Sequence, residues 1–430
     1  MKYYLVTIFA LMLFGIPAVA SHFGKETEYI AELFSRATDQ LAAVVLSHNP
    51  KTILDLKSRY SPPIIPLAEV STHRIYDKVR ILIVPGHEPN YGGAEYGALK
   101  ERDMNRELAQ DLATYLKSNT HYEVFVTRDG NEWSEPFADY FKNNWQDIID
   151  WQKASAEDMV HRISVGQATV PVTTVYHNKA PDNVAYRLYG ISKWANENDI
   201  DIMVHIHFND APGHGSRTPG DHTGFAIYIP EHQYANSTTS KGIAETVFKR
   251  LIKYNPVSDL SGESTGIIED PDLIALGAHD TSDAASMLIE YGYIYEPQFL
   301  NATTRDLALK DLAFQTYLGL QDFFGVSDDT ASVSRLYDTV ALPHSWKKIV
   351  SEKNAQNVDV FALQSALLVD GEYPPATKGL TDCPRTGKLG PCTQQALQSF
   401  QKKYGITGEN SIMGQKTLEV LNTNFGVSTI

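Results

Sequence analysis

Five short apolar runs, each rich in β-branched residues, alternate with longer segments whose apolar residues recur at helical spacing. This alternation constrains the fold more than any other feature of the chain. The runs are 79–84 (VRILIV), 123–127 (EVFVT), 202–208 (IMVHIHF), 225–229 (FAIYI) and 286–290 (SMLIE). Between and after them, 102–117, 184–197, 240–253 and 303–323 read as helices; Met104, Leu108, Leu112 and Leu116 of the first fall on one face. Parallel strands need a long crossover, and a helix is the usual one. The expected fold is therefore α/β: a mostly parallel twisted sheet with helices on both faces.

The ends of the 430-residue chain read differently. Lys2, the apolar run from Tyr4 to Ile16 and the small residues Ala18-Val19-Ala20 have the form of a signal peptide over 1–20, cleaved near Ala20. The run is too short for a spanning helix, so export without a membrane anchor is expected, to the periplasm or beyond. Residues 21–70 read as an N-terminal helical extension, broken by Ser61-Pro62-Pro63. The α/β domain is expected over 71–325. Within it, 131–183 breaks the alternation and reads as a partly helical insertion. Residues 326–350 read as a linker and 351–430 as a small separate domain of three short amphipathic helices. Its only cysteines, Cys383 and Cys392, are expected to form a local disulfide in an oxidising compartment.

Charge narrows the partners. Lys and Arg total 37 against 52 Asp and Glu, a net charge of −15, and no basic run is long enough to serve as a nucleic-acid arm. Nucleic-acid binding, which depends on clustered cations, is therefore excluded as the general role.

Functional side chains of α/β sheets gather at the carboxyl ends of parallel strands. His87 follows the first run in Pro85-Gly86-His87-Glu88, Glu101 opens the first helix, and His205 and His207 lie in the third run. Two imidazoles and a carboxylate converging there form the ligand set of a catalytic zinc with one position open. His205 and His207 alternate onto the same face, so spacing leaves either as the ligand. The fifth run ends in Glu290, a buried acid that beside a metal-activated water would act as general base and then as acid.

The chain resembles the zinc-dependent N-acetylmuramoyl-L-alanine amidases of bacterial cell walls. The matching pieces are Ile83 to His87, Gly97 to Asn105, Val126-Thr127-Arg128, Asn183 to Asn196 with Arg187, His205 to Asn209, and Leu288 to Gly292. The resemblance implies one Zn²⁺ held by His87, Glu101 and His207, with Glu290 catalytic. His207 is chosen over His205 because the family's ligand stands two before the Asn, here Asn209. Val84 and Glu88 depart from the family's Asp and Gly. The terminal segment resembles the three-helix peptidoglycan-binding domain in Val360 to Gln364, Gly387 to Thr393, Ala396 to Gly405 and Gly414 to Leu418. Together these imply hydrolysis of the amide between N-acetylmuramic acid and L-alanine, with peptidoglycan as partner. A zinc peptidase cutting within the stem peptide and an inactive wall-binding protein are the rival readings.

Overall fold

In a computed structural model the described residues are 49–60, 78–173, 175–325, 337–352 and 355–427. The expected signal peptide, most of the N-terminal extension and part of the linker lie outside them. Of the extension, the described part includes a helix, α1 (Ile53–Tyr60), whose Leu56 is buried in the main core.

A six-stranded sheet runs in the order β4-β1-β5-β8-β6-β7. Its members are β1 (Val79–Pro85), β4 (Tyr122–Val126), β5 (Ile202–Asn209), β6 (Ala226–Pro230), β7 (Ile267–Asp270) and β8 (Ala285–Tyr293). The first four in that order are mutually parallel; β6 pairs antiparallel to β8, and β7 parallel to β6. The expected mostly parallel α/β architecture is thus present. β7 was not expected, since its four residues (IIED) carry too little apolar pattern. Nor was the small hairpin of β2 (Glu95–Tyr96) and β3 (Leu99–Lys100).

Both faces of the sheet are covered, which is why its strands read as unbroken apolar runs. On one face Ile81, Ile83, Val204, Ile206, Phe208, Met287 and Ile289 pack with α2 (Glu101–Lys117), α6 (Ser237–Leu251) and α8 (Ala302–Phe324). Helix α2 sets Met104, Leu108, Leu112 and Leu116 on its buried side. Acids stand in its first turn and Lys117 in its last, matching the helix dipole. On the other face Leu82, Val84 and Met203 meet α3 (Glu135–Asn143) and α5 (Asp182–Glu197) through Phe137, Phe141, Tyr189, Ile191 and Trp194. The 131–183 stretch is largely helical as far as Ser164, being built of α3 and α4 (Trp145–Ser164). A methyl at Gly190 would stand 2.8 Å from Ile148 Cδ1, so glycine permits the close approach of α4 to α5.

After the short α7 (Pro297–Leu300) and α8, a second core forms around α9 (Val358–Asp370), α10 (Pro391–Lys403) and α11 (Gln415–Phe425). Val360, Leu363, Leu397, Phe400 and Leu421 fill it, joined by Leu342, Trp346 and Val350 from the preceding segment. Cys383 and Cys392 are disulfide-bonded. Among the described residues no helix is long and apolar enough to cross a membrane.

A buried cation ties the C-terminal helices to the sheet domain, beside Phe361, which packs in the main core. Arg385 places Nη2 2.7 Å from Asp311 Oδ2 on α8, and both side chains are almost fully buried. It also donates to Ser365 Oγ and the Tyr254 carbonyl, and lies over the rings of Tyr254 and Phe361. Removing one member of such a pair strands the other charge in a low-dielectric interior. Arg385→Met is expected to destabilise the protein by about 3–5 kcal/mol in urea unfolding; a loss below about 1 kcal/mol would show that the pair is solvated and weak. Replacing both cysteines by serine frees a short loop in the unfolded chain and is expected to cost about 2–3 kcal/mol, read the same way.

Candidate active site

β1, β5 and β8 are adjacent and parallel, so their carboxyl ends lie along one edge. Val84 pairs with His205, Pro85 with Ile206, and His207 with Glu290. The register therefore sets His87 just beyond β1, beside the end of β5, and puts Glu290 next to His207 on the neighbouring strand. Glu101 enters the same place as the first residue of α2.

His87 Nε2 lies 2.7 Å from Glu101 Oε2, and His207 Nδ1 lies 3.1 Å from Glu101 Oε1. The two imidazole rings meet edge to face with centroids 4.9 Å apart. One donor atom from each of the three residues falls within 4.8 Å of the others. His87 Nε2 is buried without an aligned hydrogen-bond partner, as is Glu290 Oε2. Buried polar atoms are seldom left so. Two nitrogens and a carboxylate oxygen turned toward one point are a donor set that suits a divalent metal.

The carboxylate of Glu101 is fixed from several sides. Ala94 N–H donates to Oε2 at 2.8 Å, and Phe208 N–H to Oε1 at 3.2 Å. Burial works to raise its proton affinity, but the facing His87 and His207 outweigh it and hold the carboxyl well below the usual range. Burial, with Glu101 and Glu263 nearby, pushes the Glu290 carboxyl well above that range. His205 sits on the same face of β5 as His207 but outside the cluster. Buried and next to His207, its imidazole is pushed down to about 3 and stays neutral.

Local backbone makes the convergence possible. His87 has φ 70°, the left-handed region that a residue with a Cβ seldom adopts. A methyl at Gly86 would lie 2.2 Å from the His207 ring, and one at Gly93 2.8 Å from His87 Cδ2. Two buried side chains hold the turn. Arg128 Nη2 donates to the Gly86 carbonyl at 2.6 Å and to the Arg102 carbonyl at 3.0 Å, and Asn105 Nδ2 also reaches Gly86 O at 3.3 Å. Burial and the nearby Arg106 lower the Arg128 guanidinium to about 10.

Sequence reasoning assigned these residues no role, although Asn105 and Arg128 stand inside the matched pieces. It also noted Glu88 only as a departure. Glu88 is buried and ion-paired with Arg187 of α5 at 2.9 Å. Glu263 had no sequence signal at all. It lies in a loop, yet accepts hydrogen bonds from Asn209 (2.8 Å), Tyr228 (2.6 Å) and Ser258 (2.5 Å), tying β5 to β6 beside Glu290.

Comparison with known proteins bears on this edge. A sequence profile described as N-acetylmuramoyl-L-alanine amidase matches residues 81–322, more than half of the chain. No curated protein matches. Among solved structures, an N-acetylmuramoyl-L-alanine amidase of Clostridium difficile 630 is similar at 19% identity, over 59% of this chain and 100% of that one, with a TM-score of 0.37. The CwlD amidase of Clostridioides difficile, solved with the GerS lipoprotein, is similar at 15% identity over 58% and 100%, TM-score 0.37. AmiC2 of Nostoc punctiforme is similar at 15% over 58% and 98%, TM-score 0.36. The matched region runs from β1 to α8 and contains all four residues gathered at the strand ends, and the chain belongs to the N-acetylmuramoyl-L-alanine amidase family.

Proposed function

We propose that this chain is an exported, zinc-dependent hydrolase that cuts the amide between N-acetylmuramic acid and L-alanine in peptidoglycan. In this reading His87, Glu101 and His207 hold one zinc, and Glu290 is the catalytic acid and base. The observation that carries it is the meeting of two imidazole nitrogens and a carboxylate oxygen within 4.8 Å at a strand edge, next to the half-buried Glu290, whose buried Oε2 has no hydrogen-bond partner.

A zinc ion held there would supply Lewis acidity, polarising the amide carbonyl and lowering the pKa of a water. The protein's own part is positioning and proton transfer. Glu101, fixed by the Ala94 and Phe208 N–H groups, keeps both imidazoles aimed at one point. Glu290, the register partner of His207, takes the proton of the attacking water through its free Oε2 and returns it to the departing alanine nitrogen. Breaking the C–N bond then releases a carboxylic acid on the lactyl group and a free amine on the peptide. The C-terminal helices, with their own core and disulfide, would retain the enzyme on the wall and raise the local substrate concentration.

Four outcomes test this. Purified protein should carry about one zinc, lose activity to a chelator and regain it with added zinc. Glu290→Gln should keep its zinc and lose about 10²–10⁴-fold in kcat, whereas His87→Ala should lose the metal. Gly86→Ala, which drives a methyl into the His207 ring, should weaken metal binding by about 10–100-fold. Mass spectrometry of digested wall should show intact stem peptides free of muramic acid. Shortened peptides still attached to it would support a stem peptidase instead, and a metal-loaded protein that clears no wall would support a binding protein.

A further inference from the structure

A cavity of about 370 Å³ opens at Glu88, the residue after His87. Its walls include Glu88, Tyr91, Asn131, Glu132, Trp133 and Arg187, so the 131–183 insertion supplies one side and the turn after β1 another. Its single guanidinium is already committed. Arg187 pairs with Glu88 at 2.9 Å, donates to the Asn183 carbonyl at 3.2 Å and lies over the Trp145 ring. Tyr91 is held by Asn183 Nδ2 at 3.0 Å, and Trp133 stands edge-on to Phe141. Glu132 and Asn131 are exposed at the rim.

This lining repels anions and favours a neutral polyhydroxylated ring. Two carboxylates against one neutralised cation make the cavity net negative. Carboxylates accept well from hydroxyl pairs, the Asn131 amide both donates and accepts, and aromatic rings cover apolar C–H faces. The volume lies near the lower end for small-molecule sites, enough for one hexosamine ring with its acetamido group. A second cavity of about 380 Å³ shows the contrast. It is lined by the β2–β3 turn that leads to Glu101 and by Arg217 and Arg305, with no carboxylate among its walls. That charge suits the carboxylates of a peptide.

Resting on the amidase reading, we infer that the Glu88–Trp133 cavity is the glycan subsite: it seats an N-acetylated amino sugar of the substrate strand beside the scissile amide. The Glu88–Arg187 pair holds the cavity's shape, and Asn131, Glu132 and Trp133 make the sugar contacts. The insertion thereby acts as a specificity element of the catalytic domain.

The full-length protein titrated with a peptide-free N-acetylglucosamine tetramer tests this without requiring turnover. Tryptophan fluorescence is expected to change saturably. The change should vanish in Trp133→Phe, and binding should weaken at least tenfold in the double variant Asn131→Ala with Glu132→Ala, whose exposed side chains leave the core untouched. On glycan-linked peptide substrate the double variant should raise KM about tenfold and leave kcat unchanged. Tetramer binding that ignores all three substitutions places the sugar on the C-terminal helices and overturns the inference; so does the absence of binding. Failure of the amidase reading appears separately, as no release of stem peptide by the unaltered protein.

Discussion

Three donor atoms from residues 87, 101 and 207 can meet only if distant stretches of chain end at the same place, and the parallel pairing of β1, β5 and β8 imposes this. In a parallel sheet every strand runs out at the same edge, and the register of His207 with Glu290 brings the fourth residue there too. The Glu101 carboxylate then acts as the hub. Two backbone N–H groups point it, and it lies within reach of both imidazoles. Neighbouring features serve that contact: the left-handed backbone of His87 and Gly93, the missing side chain at Gly86, and the buried Arg128 holding the Gly86 carbonyl.

The strands and helices were legible because both faces of the sheet are buried. That makes β1, β5 and β8 nearly continuous apolar runs and gives α2 and α8 strong helical patterns. The four candidate residues were legible as residue types at strand ends and a helix start, and the resemblance, through the position two before Asn209, separated His207 from His205. The structure shows why periodicity alone could not do so. Both rings share one face of β5, and only position along the strand sets one at the open edge and leaves the other in the core. What stayed hidden depends on contacts between remote segments. Glu263 reaches Asn209 across 54 positions and Arg187 reaches Glu88 across 99. β7 and the β2–β3 hairpin are too short to carry a pattern.

The 131–183 insertion and the C-terminal helices turn a common catalytic edge into a particular protein. The first packs α3 on the sheet and brings Trp133 to the cavity at Glu88. The second is joined to α8 by Arg385, a buried cation shared between Asp311, Ser365 and the Tyr254 carbonyl. Such an ion pair adds little net stability over apolar packing, but it disfavours other docking arrangements that would leave either charge unpaired.

The central claim is a single metal held between His87, Glu101 and His207. Anomalous diffraction at the zinc edge from crystals of the full-length protein tests it most directly. The account predicts one strong peak within bonding distance of two imidazole nitrogens and the Glu101 carboxylate. A peak elsewhere in the protein, or none at this position in zinc-loaded crystals, would contradict it.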